Sequence, residues 1–209
     1  MICHDFRTIF VHVPKTAGQS VETVFLNKLN LTWQQRAPLL LRPNSDPAKG
    51  PSRLAHLYAS EYVSCGHIGS EDFARYFKFT VVRNPWARAV SVYKFSYQQR
   101  MDFARFLDDV VARRGEVEEK RHIDAQLRFL VAPDGEMLVD RVLRFERLAD
   151  DFAEASRRIF GEEVRLPKVN VSRDPTHYRD FYDAAGRALI AEKYRDDIEA
   201  FGYRFDDAG

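Results

Sequence analysis

The chain of 209 residues has little of several features that define whole classes of protein. Two cysteines, Cys3 and Cys65, are too few for a disulfide-stapled secreted scaffold and indicate free thiols in a reducing compartment. No apolar run approaches the roughly 20 residues that cross a bilayer. The first residues also lack the layout of a signal peptide. These absences predict a soluble, cytoplasmic protein without a membrane span.

The chain also has no excess of charge of one sign. It contains 32 Lys and Arg and 31 Asp and Glu side chains, which gives a net charge of +1. Proteins that coat nucleic acid depend on a large basic excess, so no nucleic-acid partner is expected. Neither D-x-D, H-E-x-x-H nor paired C-x-x-C occurs, so no metal site is predicted. The hydrophobic content of 45% is enough for a packed core. The length suits a single domain over residues 1–209.

Short β-branched and aromatic runs alternate with helical patterns along the chain. The patterns predict strands at 8–13, 62–67, 79–83 and 138–145, and helices at 18–29, 70–77, 85–101, 103–112, 122–130, 148–160 and 184–201. Such alternation is typical of an α/β fold whose mainly parallel sheet is covered by helices on both faces. Prolines and glycines interrupt the segment 30–60, which we expect to form an insert on the substrate side.

The first motif, HVPKTAGQS at 12–20, lies where the first predicted strand turns into a helix. Backbone N–H groups at a helix N-terminus bind anions, and a lysine, hydroxyl groups and a small residue complete a phosphate cradle. The residues that fill these roles are Lys15, Thr16, Gly18 and Ser20. The order is not that of a Walker A loop, because the lysine precedes the glycine. The alternative is an ordinary strand-to-helix turn with a surface lysine.

The second motif is VVRNPWARAVSVY at 81–93, in which Asn84 suits the N-cap of a helix. Arg83, at the end of a buried strand, can aim its guanidinium group at a phosphate, and Ser91 lies two helical turns after Asn84. Arg83 and Arg88 could instead be structural ion-pair partners. Two anion sites after neighbouring strands predict a ligand with two phosphate-like groups.

Together, P-K-T-A-G-x-S and V-V-R-N-P-x-x-R-x-x-S-x-Y resemble the two cofactor signatures of sulfotransferases that use 3′-phosphoadenosine 5′-phosphosulfate (PAPS). The resemblance is nearest to the carbohydrate branch that includes heparan sulfate 2-O-sulfotransferase and its bacterial relatives. Gly66-His67 and the tail 194–203 add to it. It implies a P-loop-like three-layer sandwich, sulfuryl transfer from PAPS to a hydroxyl of a small-molecule or glycan acceptor, 3′-phosphoadenosine 5′-phosphate (PAP) as product, and no metal.

The resemblance also implies roles for single residues. The 5′-phosphosulfate would be held by the loop Lys15, Thr16, Ala17, Gly18, Gln19 and Ser20, and the 3′-phosphate by Arg83 and Ser91. His67 matches the catalytic base, with Glu61 as an alternative, and Lys15 would neutralise the leaving phosphate. Candidates for acceptor binding are His56, His122 and Gln126, although a surface position is the simpler interpretation of His56. Candidates for a lid over the nucleotide are Lys168, Asn170 and Arg173.

Two other functions stay open on the sequence: a small-molecule kinase on a similar fold, and a nucleotide-binding regulatory module without turnover. The missing Walker A order disfavours the kinase, and His67 disfavours the module. The distribution of charge favours a nucleotide site, because residues 1–101 hold 13 basic and 6 acidic side chains, whereas residues 102–209 hold 19 and 25. The stretch 73–101 has six basic residues and no acidic one. This distribution predicts a focused site for one anionic nucleotide.

Overall fold

The computed structural model describes residues 1–112, 120–167 and 176–207. In these ranges the strands are β1 (Ile2–Cys3), β2 (Thr8–Val11), β3 (Phe77–Val82) and β4 (Arg141–Arg144). The α-helices there are α1 (Gly18–Lys28), α2 (Glu61–Ser64), α3 (Ser70–Arg75), α4 (Pro85–Ser96), α5 (Phe103–Phe106), α6 (Lys120–Ile123), α7 (Leu148–Phe160), α8 (Ala184–Lys193) and α9 (Arg195–Phe201). A π-helical segment, Leu107–Ala112, continues α5. Short 3₁₀ helices occupy Trp33–Gln35, Ala37–Leu39, Pro47–Lys49, Leu54–His56, Leu127–Phe129, Phe145–Arg147 and Tyr178–Phe181.

The strands form a sheet in the order β1-β2-β3-β4. β1 is antiparallel to β2, whereas β2 and β3, and β3 and β4, are parallel. Val11 is paired with Thr80 across the first parallel ladder, so β2 and β3 end at the same edge of the sheet. Ligands of open α/β sheets bind at this carboxyl edge. The predicted α/β class, with a mostly parallel sheet flanked by helices, is confirmed.

Two compact units make up the chain, and the first comprises Met1–Val82 and Arg128–Val171. Its core joins the strand residues Phe10, Phe79 and Leu143 to Phe25 of α1 and Phe152 of α7. The rings of Phe10 and Phe79 are 5.0 Å apart on neighbouring strands. Burial of each such aromatic side chain contributes about 1.5–3 kcal/mol, so this cluster anchors both helices to the sheet.

The second unit comprises Arg83–Leu127 and Ser172–Gly209. Its core is built on α4, whose buried Trp86 and Tyr93 pack in one cluster with Phe106, Ile190 and Tyr194. α4 begins as the sequence predicts, because the Asn84 side chain accepts hydrogen bonds from the N–H groups of Trp86 and Ala87. The predicted helix 85–101 ends earlier than expected, at Ser96.

The strand predicted at 62–67 is wrong, since Glu61–Ser64 forms the short helix α2. Glu61 turns back and accepts a hydrogen bond of 2.8 Å from the N–H of Tyr58, which stabilises a helical turn over the extended alternative. The residue that was a candidate base therefore serves as a local cap. The short run of apolar residues did not distinguish strand from helix.

Two predicted helices are also wrong in extent. The helix expected at 122–130 stops at Ile123, because the N–H groups of Gln126 and Leu127 donate to the Asp197 carboxylate instead of to helical carbonyls. The helix expected at 184–201 breaks at Tyr194 into α8 and α9, without a proline or glycine to mark the break. The edge strand β1 is two residues long and gave no sequence signal.

Within the three described ranges, no helix combines the length and the apolar character that a membrane crossing needs. The lid candidates Lys168, Asn170 and Arg173 lie outside the described residues.

Candidate functional site

The loop between β2 and α1 carries the first motif at the carboxyl edge of the sheet. Lys15 and Ala17 both adopt left-handed backbone conformations, with φ of 70° and 66°. Such conformations cost a non-glycine residue about 1–3 kcal/mol and persist where the surroundings enforce them, often at functional sites. A left-handed residue that alternates with ordinary ones turns successive N–H groups toward one point and forms an anion-binding nest. The loop is therefore shaped as an anion cradle.

α1 begins at Gly18 directly behind this loop and has no side-chain cap at its N-terminus. Ala17 occupies the N-cap position, where a Ser, Thr, Asp or Asn would normally accept a hydrogen bond from the first N–H groups. The eleven-residue helix also has no acidic side chain in its first turn to neutralise the positive end of its dipole. Both features leave the helix start suited to a bound anion.

The side chains of the loop differ in burial and in their contacts. Thr16 is fully buried, and its hydroxyl donates to the carbonyl of Val13 at 2.8 Å, so this hydroxyl holds the turn. Ser20 is buried and its N–H donates to the carbonyl of Ala17. Lys15 is half-buried and Gln19 is exposed. The six residues predicted to hold one anion thus run from the loop into the first turn of α1, and Thr16 contributes through the backbone shape.

The ring of His12 lies directly against Gly18. A Cβ atom added to Gly18 would lie 2.0 Å from Nε2 of His12, well inside van der Waals contact. The opposite ring nitrogen, Nδ1, lies 2.7 Å from Oε1 of Glu22, and both side chains are buried. Glycine is required at position 18 because the imidazole fills the space of a side chain. The sequence motif placed a glycine here for close approach, but it did not reveal that histidine is the neighbour.

The second motif forms its own local arrangement at the start of α4. Arg83 follows β3 directly and is half-buried, and Ser91 is half-buried on α4. Both backbone polar groups of Arg83 bond to the side chain of Gln126: its N–H donates to Oε1 at 2.9 Å, and its carbonyl accepts from Nε2 at 2.8 Å. Gln126 is fully buried and engaged with the backbone, so the structure gives it a contact other than the predicted one with an acceptor.

Arg88, for which the sequence left a structural ion pair open as the alternative, contacts backbone carbonyls. It is 2% exposed, and its guanidinium group donates to the carbonyls of His122 and Asp124 at 3.0 and 2.8 Å. Burial raises the pKa of the Asp197 carboxyl. The positive charge of Arg88 opposes this shift without cancelling it. Arg88 therefore braces the interior of the second unit.

The three candidate histidines have different surroundings. His67 is half-buried after α2, and its Nε2 lies 2.8 Å from the carbonyl oxygen of Lys49. The ring of His56 lies 4.7 Å from that of His12, which places His56 beside the loop between β2 and α1 instead of on an isolated surface. His122 is half-buried, and its carbonyl accepts from Arg88.

Glu22 and Asp197 were not predicted as parts of a site, and the pairing of Gln126 with Arg83 was not predicted although each was a candidate on its own. A buried carboxylate within an apolar helix face is the one signal that could have indicated Glu22. No group of three or more His, Cys, Asp or Glu side chains that could hold a metal ion occurs in the part of the chain that the structure describes.

The model of a protein family described as the sulfotransferase family matches residues 1–204. The chain belongs to the sulfotransferase family. Sulfotransferases of this kind have a P-loop-like fold, which agrees with the parallel sheet and the loop between β2 and α1. Neither curated proteins nor solved structures gave a match.

Membership makes the protein a transferase of sulfuryl groups, and the family generally uses PAPS as donor and a small molecule or glycan as acceptor. The residues present fit such a donor at the first motif. The nest of Lys15 and Ala17, the uncapped start of α1 and the lysine side chain are the donor set that a phosphosulfate needs.

Proposed function

We propose that this sulfotransferase transfers a sulfuryl group from PAPS to a hydroxyl of a saccharide or a saccharide-containing metabolite. The observation that carries the proposal is the left-handed pair Lys15 and Ala17 before the uncapped N-terminus of α1. This geometry supplies several N–H donors and a lysine to one anionic group. The saccharide acceptor is carried by the resemblance of the two motifs to the carbohydrate branch.

The loop 15–20 has two tasks in this proposal. Its N–H groups and the Lys15 ammonium hold the 5′-phosphosulfate, and they neutralise the negative charge that grows on the leaving phosphate as the sulfuryl group departs. Because the loop is already held by the Thr16 hydroxyl and by His12 against Gly18, its donors need little reorganisation. Arg83 and Ser91 hold the 3′-phosphate, with a fork of guanidinium donors and a hydroxyl.

His67 is the proposed general base that removes the proton of the acceptor hydroxyl. Its Nε2 lies 2.8 Å from the Lys49 carbonyl, and a carbonyl oxygen can only accept, so Nε2 carries the proton of the neutral ring. The lone pair is then on Nδ1, which is the atom assigned to proton abstraction. The Lys49 carbonyl thus fixes the tautomer of the base.

The test combines binding and transfer. Calorimetry with PAP measures nucleotide binding, and labelled PAPS with a panel of saccharides measures transfer. Lys15→Ala is expected to lose most binding and transfer, whereas Lys28→Ala, which removes the same charge at the other end of α1, should retain both. The ion pair of Lys28 with Glu162 is exposed, so its loss costs less than about 1 kcal/mol.

His67→Ala separates base catalysis from binding. It should retain PAP affinity and lose transfer, because His67 acts on the acceptor. If PAP does not bind to the wild type and ATP is consumed instead, the protein is a kinase and the proposal is wrong. If PAP binds but no acceptor of a broad panel is sulfated, the regulatory module is the better description.

A further inference from the structure

The side chain of Gln126 clamps the backbone of Arg83. The carboxamide accepts from the Arg83 N–H at 2.9 Å and donates to the Arg83 carbonyl at 2.8 Å. A side-chain amide that pairs with both polar groups of one residue imitates a rung of β-sheet and leaves that backbone little freedom. Gln126 is fully buried, so water does not compete for these bonds.

Gln126 is itself held by Asp197 of α9. The carboxylate accepts from the N–H groups of Gln126 at 2.8 Å and Leu127 at 2.7 Å, and it is fully buried. Charge-assisted hydrogen bonds of this length are among the stronger ones in proteins. Asp197 therefore fixes the backbone from which the Gln126 side chain extends.

The segment 122–126, which carries Gln126, makes further contacts within the second unit. The Tyr194 hydroxyl donates to the carbonyl of Ile123 at 2.7 Å, and Arg88 of α4 donates to the carbonyls of His122 and Asp124. Asn84, the neighbour of Arg83, donates from Nδ2 to the carbonyl of Arg204 at 2.9 Å. The segment that carries Gln126 and the residue that follows Arg83 are thereby both held.

We propose that Gln126 is a positioning residue, which holds the Arg83 backbone so that the guanidinium group is directed at the 3′-phosphate of the nucleotide. This inference rests on the proposed function, in which Arg83 binds that phosphate. A long arginine side chain loses much rotamer freedom when it binds, and a fixed backbone reduces the remaining cost. Asp197 acts one step further away, because it holds Gln126.

The experiment compares two nucleotides that differ in the 3′-phosphate alone, PAP and adenosine 5′-phosphate (AMP). The ratio of their dissociation constants measures what the 3′-phosphate contributes. Gln126→Met keeps the volume of the side chain and loses its hydrogen bonds. PAP affinity should then fall about tenfold or more, because about tenfold is the low end of what one hydrogen bond to a charged group contributes. AMP affinity should change by less than about twofold. A general loss of structure would lower the affinity for PAP and for AMP by the same factor, and that result would overturn the proposal.

The matched control is Gln99→Met, which makes the same substitution at an exposed position of the second unit and should leave the ratio unchanged. If Gln126→Met does not fold, Asp197→Asn decides by the same criterion. It weakens the support of the Gln126 backbone, because an amide has one acceptor oxygen for the two N–H groups, so a smaller fall in the preference for PAP over AMP is expected.

Arg83→Ala distinguishes the inference from the function on which it rests. If Arg83→Ala keeps the wild-type preference for PAP over AMP, the assignment of Arg83 to the 3′-phosphate is wrong. If Arg83→Ala loses the preference and Gln126→Met keeps it, the positioning role alone is wrong. The double variant Arg83→Ala, Gln126→Met should show the same preference for PAP over AMP as Arg83→Ala alone, because the clamp acts through Arg83.

Discussion

Substitution of Gly18 by alanine tests the contact between His12 and the start of α1. The new Cβ atom would lie 2.0 Å from Nε2 of His12, about 1.4 Å short of the 3.4 Å at which ordinary contact begins. The ring cannot retreat freely, since Nδ1 bonds to Glu22 at 2.7 Å and the rings of Phe10 and His56 lie 5.5 and 4.7 Å away. The clash must therefore be relieved by breaking the His12–Glu22 bond or by moving α1.

The magnitude follows from these two effects. Overpacking costs about 1–3 kcal/mol, and a buried Glu22 left without its partner costs about 1–3 kcal/mol more. We expect Gly18→Ala to lower the free energy of unfolding by about 2–6 kcal/mol, which for a chain of this size lowers Tm by about 4–24 °C. PAP affinity should fall as well, because the displaced residues form the start of α1.

The assay is thermal unfolding of four proteins: wild type, Gly18→Ala, His12→Ala and the double variant. His12→Ala removes the ring, so alanine at position 18 should then cost nothing or stabilise α1 by up to about 1 kcal/mol. The matched control is Gly69→Ala, where φ is −68° and an added Cβ meets nothing within 4 Å. An equal loss from Gly18→Ala in both backgrounds would refute the reasoning, because it would show that His12 is not the obstacle.

Three further predictions concern the second unit. Arg88→Met should lower the free energy of unfolding by about 3–5 kcal/mol, because it removes a buried charge near Asp197 and two bonds to carbonyls, and an unchanged Tm would contradict that role. Burial raises the pKa of Tyr194 to about 12 from 10.0, so the folded state retains this proton longer than the unfolded state; stability should fall by about 3 kcal/mol as pH rises from about 10 to 12. Tyr194→Phe should remove that part of the alkaline loss in urea titrations at several pH values, and an identical pH profile would count against it. Asp183→Ala should cost about 1 kcal/mol in urea titrations, since the carboxylate caps α8 through the N–H of Gly186, and a cost near zero would show that the cap contributes nothing.

The elements with strong local signals were predicted well. α7 coincides with the predicted helix 148–160, because Phe152, Ala155 and Ile159 repeat at helical spacing and Gly161 ends it in a left-handed conformation. α4 begins at Asn84-Pro85, where side-chain chemistry alone specifies a helix start.

The elements that were predicted wrongly have distant causes. α8 and α9 are separate because Tyr194 and Asp197 bond to the segment around Ile123 and Gln126, about seventy positions earlier. No local pattern encodes such a break. The roles of His67, Arg83 and Ser91 stay predictions of the sequence, and the structure adds the partners that hold the first two.

By itself, the sequence determined the α/β class, the position of both motifs behind strands and the sulfotransferase resemblance. Each of these features depends on residues within one or two helical turns of each other, because hydrophobic periodicity and helix capping are properties of a short stretch of sequence. Only the tertiary structure decided that His12 fills the space beside Gly18, that Arg88 is a brace and that Gln126 clamps Arg83. The clamp joins residues 43 positions apart and its support residues 71 apart. Contacts at such separations arise from packing the whole unit, which fixes the distance and burial that give each side chain its role.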